Sequence, residues 1–316
     1  MHFSYVLLIP QYNDWDALNL LIQQINRDVP ASILSESALV IVDDCSSMDQ
    51  PELVRFEGKQ VQVIRLYRNL GHQRAIAIGL SLIAKEVSAD HVIVLDADGE
   101  DAPKDIPTLI QASQIQPKQV IFAQRTKRHE TIVFKLFYAV YKFLFRMLTG
   151  KVITFGNFSL IPQRNLQNLV RVSEIWNNFP GGVIKSKIPY SHIPLERGKR
   201  LAGESKMNFV SLVLHGLSTI SVLIDVTAVR ILIFTVAMSF TSILVICVVL
   251  FMKWMNNASP GWASTLSSAL FIVVLQSFLI SLFLVFMVLQ YRTQQQFVPV
   301  LQYRDFVEST EIIQEG

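Results

Sequence analysis

Cysteine is nearly absent: the 316 residues contain two, Cys45 and Cys247. Cys45 falls in an expected loop and Cys247 inside a long apolar run, which excludes a disulfide framework and any cysteine metal site. No Gly-x-Gly-x-x-Gly turn follows the first apolar run, and this removes the main warrant for a nicotinamide or flavin enzyme. Excess charge of one sign is lacking too. The net charge of +3 is too small and too dispersed for a nucleic-acid partner, although one basic cluster suits anionic headgroups. Tyr5 to Ile9 is a short apolar run ending at Pro10, not a basic region followed by a long hydrophobic one. No signal peptide is expected, and the first half is expected to stay in the cytoplasm.

Charge is also missing from the interiors of two stretches, Arg230 to Met252 and Leu266 to Gln290. Each holds about 23 residues or more, roughly 34 Å of helix, enough to cross a bilayer. Soluble helices seldom stay apolar all round for so long. The lack of interior ionisable residues speaks against a transporter pathway, and no small-residue pattern singles out a helix interface. Lys185, Lys187, Arg197, Lys199, Arg200 and Lys206 precede the first stretch, Arg292 and Arg304 follow the second, and the connection offers only Lys253. Both termini are therefore expected in the cytoplasm. The expected organisation is a catalytic domain over 1–206, a juxtamembrane amphipathic helix over 207–229, two transmembrane helices with a short loop over 230–290, and a cytoplasmic tail over 291–316. A basic, aromatic segment, Thr131 to Leu148, is expected to form an interfacial helix on the membrane.

Through the first 125 residues, short β-rich runs alternate with helical patterns. The runs are Tyr5 to Ile9, Ala38 to Val42, Val61 to Leu66, His91 to Leu95 and Gln119 to Ala123. Leu18, Leu21, Ile22 and Ile25 share one helix face; Ala75, Ile76, Gly79, Leu82 and Ile83 share another. This predicts an α/β fold: a mostly parallel, Rossmann-like wound sheet covered by helices. Ligands bind such sheets at the carboxyl ends of the strands. The residues there are polar: Gln11-Tyr12-Asn13, Asp43-Asp44, Arg68-Asn69 and Asp96-Ala97-Asp98. Asp96 and Asp98 project to one side in extended chain and can share a hard cation, Mg²⁺ or Mn²⁺, with a diphosphate. A carboxylate at Asp43 or Asp44 can accept hydrogen bonds from a nucleobase or ribose.

Together these motifs resemble the inverting family 2 glycosyltransferases of GT-A fold, and within them the polyprenyl-phosphate sugar transferases related to dolichol-phosphate mannose synthase. The resemblance rests on Ile9-Pro10-Gln11-Tyr12-Asn13, Val42-Asp43-Asp44-Cys45-Ser46, Arg68-Asn69-Leu70-Gly71 running on to Ala75 and Gly79, and Asp96 through Pro103. It continues through Arg125, Gly156-Asn157-Phe158-Ser159-Leu160, Arg197, Arg200 and Gly203-Glu204-Ser205-Lys206 to the paired C-terminal spans. It implies a nucleotide-sugar site, UDP- or GDP-linked, built by Pro10, Tyr12, Asn13, Asp43, Asp44, Asn69, Gly71 and Asp96. It implies a metal on Asp96 and Asp98, and catalytic positions at Asp98, Asp101, Arg125 and Asn157. Arg128, Arg197, Arg200, Ser205 and Lys206 would bind the acceptor or the diphosphate.

Three positions depart from the family pattern. Cys45 replaces the usual Gly, which implies a changed turn. Asn157 stands where close relatives carry an aspartate proposed as base, and an amide cannot accept the proton. Ser173 to Tyr190 matches poorly. A polyprenyl phosphate acceptor, largely dianionic near neutral pH, needs no base; a hydroxyl acceptor would need one, with Glu100 or Asp101 as candidates. The expected reaction is metal-dependent, inverting transfer to polyprenyl (undecaprenyl or dolichyl) phosphate. Another lipid-linked or cell-surface glycan acceptor, a non-catalytic nucleotide-sugar-binding membrane protein, and a homo-oligomer all stay open.

Overall fold

The structure is a computed structural model that describes residues 1–125, 142–151, 155–196, 198–202, 209–255, 261–293 and 297–315. The chain forms two compact units. The first comprises Met1–Leu136, Ile153–Val222 and Gln296–Gly316; the second, Phe137–Val152 and Leu223–Gln295.

The first unit is built on an eight-stranded sheet. Its strands are β1 (His2–Gln11), β2 (Ser37–Asp43), β3 (Gln60–Leu66), β4 (Ser88–Val94), β5 (Val120–Arg125), β6 (Ser159–Pro162), β7 (Tyr190–Leu195) and β8 (Val307–Glu315). They lie in the order β7-β5-β6-β4-β1-β2-β3-β8. The pairs β1–β2, β1–β4, β2–β3 and β5–β7 are parallel, whereas β6 runs antiparallel to β4 and β5, and β8 antiparallel to β3. The five runs read from the sequence are thus strands in a mostly parallel sheet. The two strands that make it mixed, β6 and β8, lie far in the chain from those they pair with.

Alternate side chains of the strands enter two separate cores, as the period of two requires. Val6, Leu8, Val40, Val42, Val92 and Val94 face one side, where α2 (His72–Glu86), α4 (Gln163–Leu169) and α5 (Phe179–Ser186) pack. Leu7, Ile9, Leu39, Ile41, Ile93 and Leu95 face the other, against α1 (Trp15–Asp28) and α3 (Ile106–Ile115). Strands buried on both faces read as continuous apolar runs, which is why β1, β2 and β4 are visible in the sequence. Gly79 lets α2 approach the sheet: a Cβ there would lie 2.4 Å from Leu8 Cδ1 and 2.9 Å from Val42 Cγ2. The last residues, placed in a tail by the sequence, run as β8 along β3. The Gln314 side chain accepts from the Phe56 N–H at 3.0 Å and donates to the Phe56 carbonyl at 2.6 Å. Another helix of this unit, α6 (Phe209–Val222), covers most of the expected juxtamembrane segment.

The second unit contains α7 (Ile224–Trp254) and α8 (Trp262–Thr293), two helices long and apolar enough to cross a membrane. Their packing is inside out relative to a soluble hairpin. Thr227, Ala228, Thr235, Ser242 and Val249 are buried on α7, while Phe234, Phe240, Phe271, Phe278 and Phe283 are exposed. Thr235 and Ser281 share a 2.7 Å hydroxyl hydrogen bond between the helices. The buried positions of α7 recur every seven residues from Ala228 to Val249, so small and hydroxyl side chains do line the contact, as they do where lipid surrounds the outer face. A helix over 142–149 belongs to this unit, and Arg230 donates to its terminal carbonyl of Met147 at 2.9 Å. The remainder of the expected Thr131 to Leu148 helix lies outside the described residues.

Candidate active site

The carboxyl ends of β1, β2, β3 and β4 converge because the four strands are adjacent and parallel. At the end of β1, Gln11 donates to Asp43 at 2.6 Å and to Ser46 Oγ at 3.0 Å. Asn13 takes up a left-handed backbone, φ 50°. Its side-chain oxygen accepts the N–H groups of Ser47 at 2.9 Å and Met48 at 3.1 Å. Asn13 therefore fastens the turn after β2 to the turn after β1. Pro10 is buried beneath it, and Tyr12 is 40% exposed at the rim.

Asp43 and Asp44 are both buried. Asp43 accepts from the Ser46 N–H at 3.1 Å and the Ser46 hydroxyl at 2.5 Å. Asp44 grips the β3–α2 loop with both oxygens, accepting from Leu70 N–H and Gly71 N–H at 2.7 Å each. Burial pushes the carboxyl pKa of each upward, opposed by these N–H and O–H donors. Asn69 sits exposed in the loop that Asp44 holds. Cys45 adopts φ 59°, so the left-handed turn that glycine favours is kept, not changed, with a side chain in the strained region.

Beyond β4, Asp96 and Asp98 lead into the turn at Gly99, whose φ is +79°. Asp98 Oδ1 accepts the Glu100 N–H at 3.0 Å; the buried Asp101 accepts the Asp96 N–H at the same distance. Burial raises the Asp98 pKa, and the neighbouring charge of Asp96 raises it further. Two carboxylates that repel each other at a strand end fit a hard divalent cation, with remaining ligands supplied by diphosphate or water oxygens. Among the described residues no group of three acids, histidines or cysteines forms a closed metal cage.

Arg200 crosses this edge. Its guanidinium bonds Asp14 at 2.7 Å, Asp98 at 3.1 Å and the Ala202 carbonyl at 2.9 Å. Expected to bind the acceptor or the diphosphate, Arg200 here ties the end of β1 to the end of β4. The same segment is laid along the turn by Gly198 N–H to Glu100 O at 2.8 Å and Leu201 N–H to Asp98 O at 2.9 Å.

Asn157 reaches the site through register. In the antiparallel β4–β6 pair Val94 faces Ser159, and continuing it by two residues sets Asp96 opposite Asn157. Asn157 Nδ2 lies 3.4 Å from Asp96 Oδ1 and 2.9 Å from His72 Nε2. His72 Nε2 lies 3.0 Å from the same Asp96 oxygen. Burial alone would lower the His72 pKa; the charges of Asp96, Asp101 and Asp98 outweigh it and raise it. His72, Gln73 and Asp14 complete the site and were not singled out by sequence. The first two directly follow the Arg68-Asn69-Leu70-Gly71 motif, which was their one available signal. Arg125 closes β5 at its carboxyl end, but its side chain, and all of Arg128, Arg197, Ser205 and Lys206, lie outside the described residues.

The family model described as Glycosyl transferase family 2 matches residues 6–161. The Uncharacterized glycosyltransferase YkcC of Bacillus subtilis (strain 168) is 27% identical over 278 residues, 83% of this chain and 82% of that protein. An Undecaprenyl-phosphate 4-deoxy-4-formamido-L-arabinose transferase of Klebsiella pneumoniae (strain 342) is 25% identical over 222 residues, 66% of this chain. The match spans 63% of that relative, less than two thirds of its length. Among solved structures, glucosyl-3-phosphoglycerate synthase from Mycobacterium tuberculosis in complex with Mn²⁺, UDP-glucose and phosphoglyceric acid shows 14% identity and a TM-score of 0.49, over 71% of this chain and 80% of that one.

Proposed function

We propose that this chain, whose residues 6–161 match the Glycosyl transferase family 2 model, is a glycosyltransferase that transfers a sugar from a UDP- or GDP-linked donor to a polyprenyl phosphate, with inversion at the anomeric carbon. The observation that carries this reading is the convergence of Asp43, Asp44, Asp96 and Asp98 on one sheet edge, in a chain that also holds two apolar helices of bilayer length. The kinship to transferases named for undecaprenyl phosphate supports the acceptor. So does Asn157, because a dianionic phosphate is already a nucleophile and asks for no base.

The donor nucleotide is assigned to the ends of β1 and β2. Tyr12 offers its ring at the rim, and Asp44 acts by holding the 67–71 loop in place. Asp96 and Asp98 are the residues that would hold Mg²⁺ or Mn²⁺, which when bound supplies positive charge against the leaving diphosphate. An acceptor oxygen attacks the anomeric carbon in line, its new C–O bond replacing the bond to the nucleoside diphosphate. The residues' contribution is chiefly positioning, which can account for much of such a barrier. The two apolar helices are assigned to the membrane, with the catalytic unit and both termini on the cytoplasmic side.

The test is transfer of radiolabelled sugar by the purified protein to undecaprenyl or dolichyl phosphate, across a nucleotide-sugar panel with Mg²⁺ or Mn²⁺. Label in a phosphate-linked lipid, absent with Asp98→Ala or with chelator, is the expected result. Donor binding without that product would move the acceptor assignment to another glycan.

A further inference from the structure

We propose that Gln73 is a positioning residue that turns the Asn157 amide nitrogen toward Asp96, so that position 157 presents a hydrogen-bond donor, not a base, to an oxyanion acceptor. The inference rests on the phosphate-acceptor reading above and adds how the site recognises that phosphate.

The polarity of the contacts is fixed from one end. The backbone N–H of Phe179 can only donate, and it donates to Gln73 Oε1 at 2.7 Å. The other arm of Gln73 is therefore its NH₂ group, which donates to Asn157 Oδ1 at 3.0 Å. With its oxygen committed there, Asn157 sets Nδ2 on the remaining side, facing the Asp96 carboxylate at 3.4 Å. A carboxylate requires a donor, so the two ends of the chain of contacts agree on one amide orientation, the assignment that coordinates alone leave open.

His72 shares the Asp96 carboxylate with Asn157. In the tautomer that serves Asp96 at 3.0 Å, its Nε2 carries hydrogen, and that nitrogen stands 2.9 Å from Asn157 Nδ2. Asp96 Oδ1 thus takes the single Nε2 hydrogen of His72 and one amide hydrogen of Asn157, and the second amide hydrogen of Asn157 is the donor that an oxyanion acceptor can take. A hydroxyl nucleophile would need the opposite, a proton acceptor.

Two substitutions test this in the full-length protein, with undecaprenyl phosphate as acceptor. Gln73→Glu keeps an oxygen for the Phe179 N–H, so α5 stays anchored, but it cannot donate to Asn157 and forces the amide to turn over. Asn157→Asp still accepts from Gln73 and places an oxygen where the inward N–H was. Each is expected to raise the acceptor KM about tenfold or more, the loss of a charge-assisted hydrogen bond, while the donor KM stays within about twofold. Unchanged acceptor KM in both variants, or a higher kcat in Asn157→Asp, would overturn the inference while transfer by the wild type upholds the acceptor reading. Failure of the wild type to transfer to the phosphate lipid, with donor still bound, would overturn the acceptor reading and the inference with it.

Discussion

Arg200 shows how one side chain can determine the shape of an edge that several carboxylates would otherwise push apart. Asp14 and Asp98 are each 20% exposed and share its guanidinium. Arg200→Ala leaves both part-buried acids without their planar donor, a loss of about 1–3 kcal/mol, toward the lower end because a fifth of each side chain remains solvated. At roughly 2–4 °C per kcal/mol for a unit of this size, thermal unfolding in detergent should fall by several degrees. Arg200→Lys, a point charge unable to span both acids, should fall between. His91 behaves differently. Burial lowers its pKa against the opposing pull of Asp90 and the Ser4 backbone, so the folded state favours the neutral ring. Its contribution is fully present above the unfolded value near 6.5 and is lost as pH falls through the lower folded value. Stability should therefore decline below about pH 6.5, by at most roughly 1.4 kcal/mol per pH unit from this group. His91→Phe, which can keep the stack on Tyr5 at 5.7 Å, should flatten that slope in a pH series of melting curves. At this scale the sequence reveals residue types but not partners. Asp43, Asp44, Asp96 and Asp98 stand out because acids directly follow apolar strands. Gln73 does not, because its role depends on a backbone N–H more than a hundred positions away.

Secondary-structure elements were legible wherever burial imposed a period. The central strands are buried on both faces and appear as unbroken apolar runs; α1 and α2 show their apolar faces at helical spacing. Strands β6 and β8 are short or half-exposed, and they pair antiparallel with partners distant in the chain, so no local pattern marks them. The Asp96–Asn157 juxtaposition could not be read for that reason: it is a product of the β4–β6 register. Packing of α2 on the sheet gives a direct prediction. Gly79→Val would drive its Cβ into Leu8 and Val42, where the added atom would stand 2.4 and 2.9 Å from theirs. Overpacking of this kind costs about 1–3 kcal/mol, and the β-branch adds a small helix penalty. A lowered melting temperature with an unchanged far-ultraviolet circular dichroism spectrum is the expected reading. Because α2 begins at His72, a shift of its axis should also weaken donor binding, measurable by nucleotide titration.

For the molecule as a whole, the decisive feature is that the chain leaves the sheet unit before α7 and returns to it after α8. Strand β8 pairs with β3 across a separation of about 250 residues, so the segments before and after the two apolar helices must lie on one side of any membrane those helices cross. That argument is independent of flanking charge, and the two agree: basic residues precede α7 and follow α8, while the connection carries few. Two crossings satisfy the sheet; one would tear β8 from β3. A cysteine introduced at Asn257, in a background lacking Cys45 and Cys247, should therefore react with a membrane-impermeant maleimide in intact cells. A cysteine at Gly316 should react only after the membrane is opened. Equal labelling of both in intact cells would be incompatible with a β3–β8 pair on one side and two helices crossing, and would require α7 and α8 to lie along the surface. The expected outcome puts the sheet edge that bears Asp43, Asp44, Asp96 and Asp98 on the cytoplasmic side, the side on which the proposed polyprenyl phosphate would have to present its head group.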